Sequence, residues 1–251
     1  MITALADGRL LAEKTGATPP TVVALPGWMR SATDFAPVVD GLDAVSIHFP
    51  GFGTTPEPLT VWGSEDYAED VAAAIAGFGP VILVAHSFGG RVAVRLAAKY
   101  PQYVKGLVLT GVPLLRLHDA PKPAASFRIA RSLAKKGILP KSVLEKQRQK
   151  RGSADYLAAQ GVMRDILVRV VNENYADDLA RINAPVRMVW GENDTAAPAD
   201  AGLAASQLIA HSTFRAVPGA GHLIEGDLRP AVREELLAMI DETAPTKDAG
   251  K

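Results

Sequence analysis

The strongest structural signal in the sequence is the segment Val81-Ile82-Leu83-Val84-Ala85-His86-Ser87-Phe88-Gly89-Gly90-Arg91. An apolar run typical of a buried strand leads directly into a small-x-Ser-x-Gly pattern, and a helical pattern follows. A serine on so tight a strand-to-helix turn takes a strained backbone conformation that exposes its hydroxyl. Small residues two positions before and after the serine allow the backbones to approach closely. The segment therefore predicts a strand, a sharp turn at Ser87 and a helix.

Other short apolar runs recur along the chain, and helical patterns lie between them. The predicted strands are residues 21–25, 44–48, 81–85, 106–110, 186–190 and 213–217. The predicted helices are residues 64–78, 87–100, 199–210 and 228–242. Several strands lack polar alternation, which is typical of a parallel sheet buried on both faces. Strands that alternate with helices predict an α/β fold with a mostly parallel, doubly wound sheet, and residues 2–13 predict a leading antiparallel hairpin around Asp7 and Gly8.

The alternation stops between residues 114 and 175, where only helical patterns are found, at 124–136, 141–151 and 154–172. We therefore expect residues 1–113 and 176–242 to form one core domain, interrupted by a helical insertion over 114–175. The polar residues 243–251 predict a frayed, flexible tail.

Composition excludes several classes of protein. The chain has 251 residues, 48% of them hydrophobic, with 27 Lys and Arg, 27 Asp and Glu, and no cysteine. These values exclude wholesale disorder, a disulfide-stapled scaffold and a cysteine nucleophile. The balanced charge argues against nucleic-acid binding. No apolar run is long enough to span a bilayer and no secretory signal is visible, so we expect a cytoplasmic protein without a membrane partner.

Further motifs occur in a fixed order around the serine turn. They are Pro26-Gly27-Trp28-Met29 after the first strand, Phe49-Pro50-Gly51-Phe52-Gly53-Thr54-Thr55 after the second, Trp190-Gly191-Glu192-Asn193-Asp194 and Gly219-Ala220-Gly221-His222. Together with Ser87 they resemble the α/β-hydrolase fold superfamily, and the resemblance runs from about residue 21 to residue 240. Two positions depart from the family pattern: Ala85 stands in place of the first glycine of G-x-S-x-G, and Pro26 in place of the usual histidine.

The resemblance implies a catalytic triad on the chain order Ser, Asp, His. Ser87 would be the nucleophile, His222 its general base, and Asp194 the group that orients His222, with Glu192 as the alternative acid. The backbone N–H groups of Trp28 and Phe88 correspond to the oxyanion hole. An insertion such as 114–175 is usually a helical lid in this family.

The remaining histidines indicate no metal site, since none shows the spacing of metal ligands. We expect His86 to be a packed turn residue that points away from the nucleophile, His48 to pack at a strand end, and His118 and His211 to lie on the surface. The glycines form no phosphate-binding loop, so no cofactor is expected.

The substrate is less well defined by the sequence. We expect a serine esterase, a carboxylesterase-like enzyme acting on a small or medium acyl ester. Another reaction on the same triad (C–C bond hydrolysis, amide or thioester cleavage, or a menaquinone-pathway synthase-like lyase) and a non-catalytic binding protein remain alternatives. Candidate substrate-binding residues are Arg91, Phe127 and Met163. For Arg91 the simpler interpretation is a helix-face arginine paired with an acid.

Charge is unevenly distributed along the chain. Residues 114–175 carry 13 Lys and Arg against 5 Asp and Glu, a net charge of +8, and the rest of the chain carries −8. Such an insertion is either a solvated helical surface, which we favour, or a cationic lid that steers an anionic substrate. The sequence does not indicate an oligomeric state.

Overall fold

The protein is described by a computed structural model that covers residues 1–16, 19–53, 55–117 and 154–244. The strands are β1 (Ile2–Leu5), β2 (Leu10–Thr15), β3 (Val22–Leu25), β4 (Ala44–His48), β5 (Val81–His86), β6 (Val104–Thr110), β7 (Val186–Gly191) and β8 (Ser212–Val217). The helices are α1 (Ala36–Val39), α2 (Ser64–Ile75), α3 (Phe88–Lys99), α4 (Ala154–Ala158), α5 (Gly161–Val170), α6 (Ala176–Leu179), α7 (Ala199–Ser206) and α8 (Leu228–Glu242). Short 3₁₀ helices lie at Ala6–Gly8, Ala32–Phe35 and Pro101–Tyr103.

In the described residues the strands form an eight-stranded sheet in the order β1-β2-β4-β3-β5-β6-β7-β8. Strands β1 and β2 form the predicted antiparallel hairpin, and β2 pairs antiparallel with β4. All other neighbours in the sheet pair in parallel. The predicted α/β fold is thereby confirmed. The turns that follow β5, β7 and β8 all lie at the carboxyl edge of the sheet, where open α/β sheets bind their ligands.

The central strand β5 is buried on both faces, which explains why its sequence shows no polar alternation. Val81, Leu83 and Ala85 belong to an apolar cluster on the side of α2 and α3. Ile82 and Val84 belong to a second cluster on the side of α8. Each face of the sheet is therefore covered by helices, and β5 holds its C-terminal turn on a rigid support.

The predicted bounds differ from the observed ones mainly at helix ends. Helix α2 begins at Ser64 as predicted, and the N–H of Gly63 before it donates to Oδ2 of Asp66 at 2.6 Å. The helix ends at Ile75 and not at residue 78, and α7 ends at Ser206 and not at residue 210. Helix ends fray and are the least predictable part of a helix.

The helix predicted over residues 154–172 is divided into α4 and α5. Gly161, at φ +50°, lies at the division, and a residue in the left-handed region interrupts a right-handed helix. The helices predicted over 124–136 and 141–151 lie outside the described residues, as do residues 245–251 of the predicted tail. The lid over 114–175 therefore stays a prediction.

A polar cluster ties the segment after α5 to the start of α2. The carboxylate of Glu173 accepts the backbone N–H of Ser64 at 3.1 Å, the Ser64 hydroxyl, and the hydroxyl of Tyr175 at 2.7 Å. Arg95 donates from Nε to Ser64 Oγ at 3.2 Å and forms an ion pair with the buried Asp178. These contacts hold residues 173–178 against helices α2 and α3.

Candidate active site

Ser87 occupies the predicted turn between β5 and α3. Its backbone lies at φ +51° and ψ −114°, a region that side chains other than glycine rarely adopt. Its N–H donates to the carbonyl of Thr110 at 3.0 Å. The turn thus forms with Ala85 two residues before the serine, although glycine is usual there, and Ala85 is fully buried within β5.

The glycines after Ser87 permit the close packing on which the turn depends. A Cβ atom on Gly89 would lie 2.1 Å from the carbonyl oxygen of Leu25 in β3, and one on Gly90 would lie 2.2 Å from Cγ2 of Val112. Neither contact leaves room for a side chain. The start of α3 is therefore pressed directly against the sheet, which explains the small residues in this motif.

His222 and Asp194 are brought to Ser87 from loops that are distant in sequence. His222 Nε2 lies 3.2 Å from Ser87 Oγ, and His222 Nδ1 lies 2.7 Å from Asp194 Oδ2. The three side chains form a continuous hydrogen-bonded chain in the predicted order. The distances are within the range expected of a nucleophile, its base and the group that orients the base.

The Asp194 carboxylate is buried and fully engaged. Its side chain has no exposed surface, and Oδ1 accepts the backbone N–H groups of Ala196 at 2.9 Å and Ala197 at 2.8 Å. Glu192, the alternative acid, is exposed. Because two N–H groups hold Oδ1, only Oδ2 faces His222, and the orientation of the imidazole is determined by a rigid acceptor.

Gly111 lies beneath this pair of side chains and leaves the space that they need. Its φ is +59°, and a Cβ atom there would lie 3.1 Å from the His222 ring and 3.2 Å from Asp194 Oδ2. Gly111 belongs to none of the motifs that predicted the site. The only local signal is a glycine directly after β6.

The two residues whose N–H groups are the predicted oxyanion donors belong to one aromatic cluster. The rings of Trp28 and Phe88 meet edge to face with centroids 5.4 Å apart, and both residues are buried. Among the described turns and loops, neither backbone N–H donates to a backbone carbonyl. The N–H of Phe88 is the first of helix α3, where the helix dipole favours negative charge. Both groups remain predicted oxyanion donors.

His86 is buried as expected, but it also contacts the candidate base. Its Nε2 lies 2.9 Å from the backbone oxygen of His222, and the two ring centroids are 4.7 Å apart. Burial and the nearby His222 lower the pKa of His86 to about 4, so the ring is neutral near pH 7. This contact spans 136 residues of sequence and no local pattern signals it.

Arg91 lies in a buried position beneath the end of α5. Its Nη1 donates to the carbonyl of Val170 at 2.6 Å, and its guanidinium carbon lies 5.6 Å from the ring centroid of Tyr175. Burial lowers the pKa of this guanidinium. Within the described residues Arg91 forms no ion pair with a carboxylate. The interpretation of Arg91 as a helix-face arginine paired with an acid therefore does not match its contacts in that part of the chain. Its role in substrate binding stays a prediction.

Of the other two candidate substrate-binding residues, only Met163 lies within the described part of the chain. Met163 is buried, and its sulfur lies so close to Gly51 that a Cβ atom on this glycine would be 2.3 Å away. Met163 thereby packs α5 against the loop after β4. Phe127 lies outside the described residues.

Of the remaining histidines, His48 lies at the end of β4, with its Nε2 3.4 Å from Oε1 of Glu13 in β2. His211 is exposed. His118 lies outside the described residues. In the described part of the chain no cluster of three or more His, Asp or Glu side chains has the arrangement of a metal site. No helix of that part has both the length and the apolar composition needed to cross a membrane.

The chain is similar to known hydrolases. Residues 22–234 match the model of the family described as the alpha/beta hydrolase family. A 2-(acetamidomethylene)succinate hydrolase of Mesorhizobium japonicum is 38% identical over 71 residues, which are 28% of this chain and 26% of that protein. The uncharacterized hydrolase YugF of Bacillus subtilis is 24% identical over 244 residues, or 87% of each chain.

Solved structures give the same result for the fold. A thermophilic esterase from Thermogutta terrifontis, with malate bound, has a TM-score of 0.71 at 22% identity and covers 98% of this chain and 100% of its own. Other similar proteins are named as lipases, a non-heme chloroperoxidase and a meta-cleavage product hydrolase. The likenesses confirm the predicted fold, while the names span several reactions.

Proposed function

The chain belongs to the alpha/beta hydrolase family, and we propose that it is a serine hydrolase that cleaves a carboxylic ester through an acyl-enzyme on Ser87. The observation that carries this proposal is the hydrogen-bonded chain Ser87–His222–Asp194, with contacts of 3.2 Å and 2.7 Å, at the carboxyl edge of the sheet. A serine hydroxyl is too weak an acid to attack an ester unaided, and an adjacent imidazole supplies the base that it needs.

In the first half of the reaction, Ser87 Oγ attacks the carbonyl carbon of the ester while His222 Nε2 takes the hydroxyl proton. Asp194 stabilises the imidazolium that forms and keeps Nδ1 protonated. The N–H groups of Trp28 and Phe88 donate hydrogen bonds that stabilise the negative charge developing on the carbonyl oxygen. The intermediate then collapses, His222 returns its proton to the leaving alcohol, and an acyl-serine remains.

In the second half, water attacks the acyl carbon while His222 removes one of its protons. Collapse of the second tetrahedral intermediate breaks the bond to Ser87 Oγ, and the proton on His222 returns to the serine. The carboxylic acid is released and the enzyme is restored. The same groups serve both halves because the base becomes an acid once it is protonated.

An active-site fluorophosphonate and a set of p-nitrophenyl esters of short acids test this proposal. We expect the probe to label Ser87 and the esters to be hydrolysed. The Ser87→Ala variant should lose both properties while its circular dichroism and unfolding midpoint stay near those of the wild type. Absence of labelling and turnover in a folded wild-type protein would contradict the proposal.

A second proposal concerns the charge of the substrate. The +8 charge of residues 114–175 fits either a solvated surface or a cationic lid, and the succinate-derived substrate named for the Mesorhizobium relative favours the second, with an anionic acyl group. A panel of neutral esters, dicarboxylate monoesters and acyl thioesters tests this. We expect the monoesters to give the highest kcat/KM and to lose their advantage as salt is raised. Equal rates across the panel would contradict the proposal, and turnover of thioesters alone would favour the thioesterase alternative.

A further inference from the structure

His86 is a buried, titratable side chain for which the proposed reaction has no use. It precedes Ser87 in the chain and is 2% exposed. Its Nε2 lies 2.9 Å from the backbone oxygen of His222, and its ring contacts the His222 ring. Since a carbonyl oxygen only accepts hydrogen bonds, Nε2 carries the proton and donates it, and Nδ1 is unprotonated in the neutral ring.

This bond reaches His222 in a loop that is also held by a hydrogen bond from the Asn193 N–H to the Ala220 carbonyl at 2.8 Å. His222 follows Gly219, Ala220 and Gly221, and glycine gives the backbone wide conformational freedom. Among the described turns and loops, no backbone N–H donates to the His222 carbonyl. A cavity of about 200 Å³, lined in part by His86, Leu223 and Ile224, lies beside the loop. The loop therefore has space into which it can shift.

The Nδ1–Cε1 edge of the His86 ring lies against the turn that carries Trp28. A Cβ atom on Gly27 would lie 2.9 Å from His86 Nδ1 and 3.4 Å from Cε1, so the ring is packed directly on the backbone of this turn. One imidazole thus contacts the loop of the candidate base and the turn of the candidate oxyanion donor, and it is joined through the chain to Ser87.

We propose that His86 is a positioning residue that holds the His222 loop and the Gly27–Trp28 turn at fixed distances from Ser87. This inference rests on the proposed function, because the distance that His86 maintains is the 3.2 Å between Ser87 Oγ and His222 Nε2. Without the donated N–H, the His222 carbonyl turns towards the cavity and the imidazole moves away from the serine. We expect little change in substrate binding, because only 2% of His86 is exposed.

A matched pair of substitutions tests this inference. His86→Gln retains an N–H donor near the position of Nε2, whereas His86→Met has a similar length and volume and no donor. We expect His86→Met to lower kcat about 10- to 100-fold with little change in KM, because a misplacement of about 1 Å costs that much. His86→Gln should recover most of the loss. His86→Asn, whose shorter amide does not reach the carbonyl, replaces the Met variant if that protein fails to fold.

The control is His48→Met, which removes another buried histidine, one whose described side-chain polar contact is with Glu13 at 3.4 Å and not with a candidate catalytic side chain. We expect its kcat to stay within about twofold of the wild type, as for a substitution away from the site. Equal activity in His86→Met and the wild type, or equal losses in the Gln and Met variants, would overturn the inference.

Hydrogen exchange of residues 219–225 gives a readout that does not depend on catalysis. We expect faster amide exchange there in His86→Met than in His86→Gln, with unchanged exchange in β5 and α3. Absence of fluorophosphonate labelling in the wild type would refute the proposed reaction. Unchanged amide exchange of residues 219–225 in His86→Met would refute the positioning role alone.

Discussion

Asp194 faces His222 with one oxygen only: Oδ2 lies 2.7 Å from His222 Nδ1, and Oδ1 is held by the N–H groups of Ala196 and Ala197. The carboxylate therefore has no freedom to exchange its two oxygens. This asymmetry determines what a substitution at Asp194 does.

Asp194→Asn is expected to lower kcat about 10³- to 10⁴-fold, with a small change in KM. The amide oxygen must stay on the two N–H donors, so the amide NH₂ faces His222 Nδ1 and requires the tautomer that is protonated on Nε2. Such an imidazole cannot accept the Ser87 proton. Steady-state kinetics with a p-nitrophenyl ester measures the loss. Glu192→Gln is the control, and a comparable loss in that variant would identify Glu192 as the working acid.

Gly111→Ala should lower kcat about tenfold, since a displacement of the reacting groups by a few tenths of an ångström weakens proton transfer. The added methyl group meets the His222 ring at 3.1 Å and Asp194 Oδ2 at 3.2 Å, at a backbone φ of +59°. Gly41→Ala provides a matched control, because Gly41 has a φ of +75° and no atom near its Cβ position.

Both variants should lose about 1 kcal/mol of unfolding free energy to backbone strain. Only Gly111→Ala should lose activity. A Gly111→Ala protein with the kcat of the Gly41→Ala protein would show that the contact with the His222 ring has no consequence.

The stability of the protein should fall between pH 6.5 and pH 4 because of His86. Its pKa is about 4 in the folded state against an ordinary value of 6.5, so the unfolded chain binds more protons in this range. The contribution is complete above pH 6.5 and is lost as the pH falls, up to about 3 kcal/mol at pH 4.

Urea unfolding at three pH values in this range measures the effect in the wild type and in His86→Gln. The carboxylates titrate equally in both proteins, so the difference between the two curves isolates His86. Parallel curves for the two proteins would contradict the assignment.

Glu173→Gln should destabilise the protein by about 1–3 kcal/mol without a direct effect on kcat, because one amide cannot replace a carboxylate that accepts three hydrogen bonds. The donors are the Ser64 backbone, the Ser64 hydroxyl and the Tyr175 hydroxyl. Asp165→Asn, an exposed position on α5, is the control. Equal unfolding free energies for the two variants would show that the cluster contributes nothing to stability.

The sequence predicted the elements that depend on local patterns and on ordered motifs. The turn at Ser87 and the order of Ser87, Asp194 and His222 follow from short segments whose backbone requirements are local. The hydrogen bond of His86 to His222 and that of Arg91 to Val170 join residues 136 and 79 positions apart, and no periodicity encodes such distances. Gly161 did carry a local signal, since a glycine within a helical pattern weakens the helix.

The backbone conformation of Ser87 lowers the stability of the protein at the position of the candidate nucleophile. A residue other than glycine at a positive φ costs about 1–3 kcal/mol, whereas glycine adopts this conformation freely. Ser87→Gly should therefore unfold at a higher urea concentration than Ser87→Ala, and both should be inactive. A single substitution towards greater thermal robustness thus removes the nucleophile. Selection for folding alone would favour glycine at this position, and the serine records a selective pressure that stability does not explain.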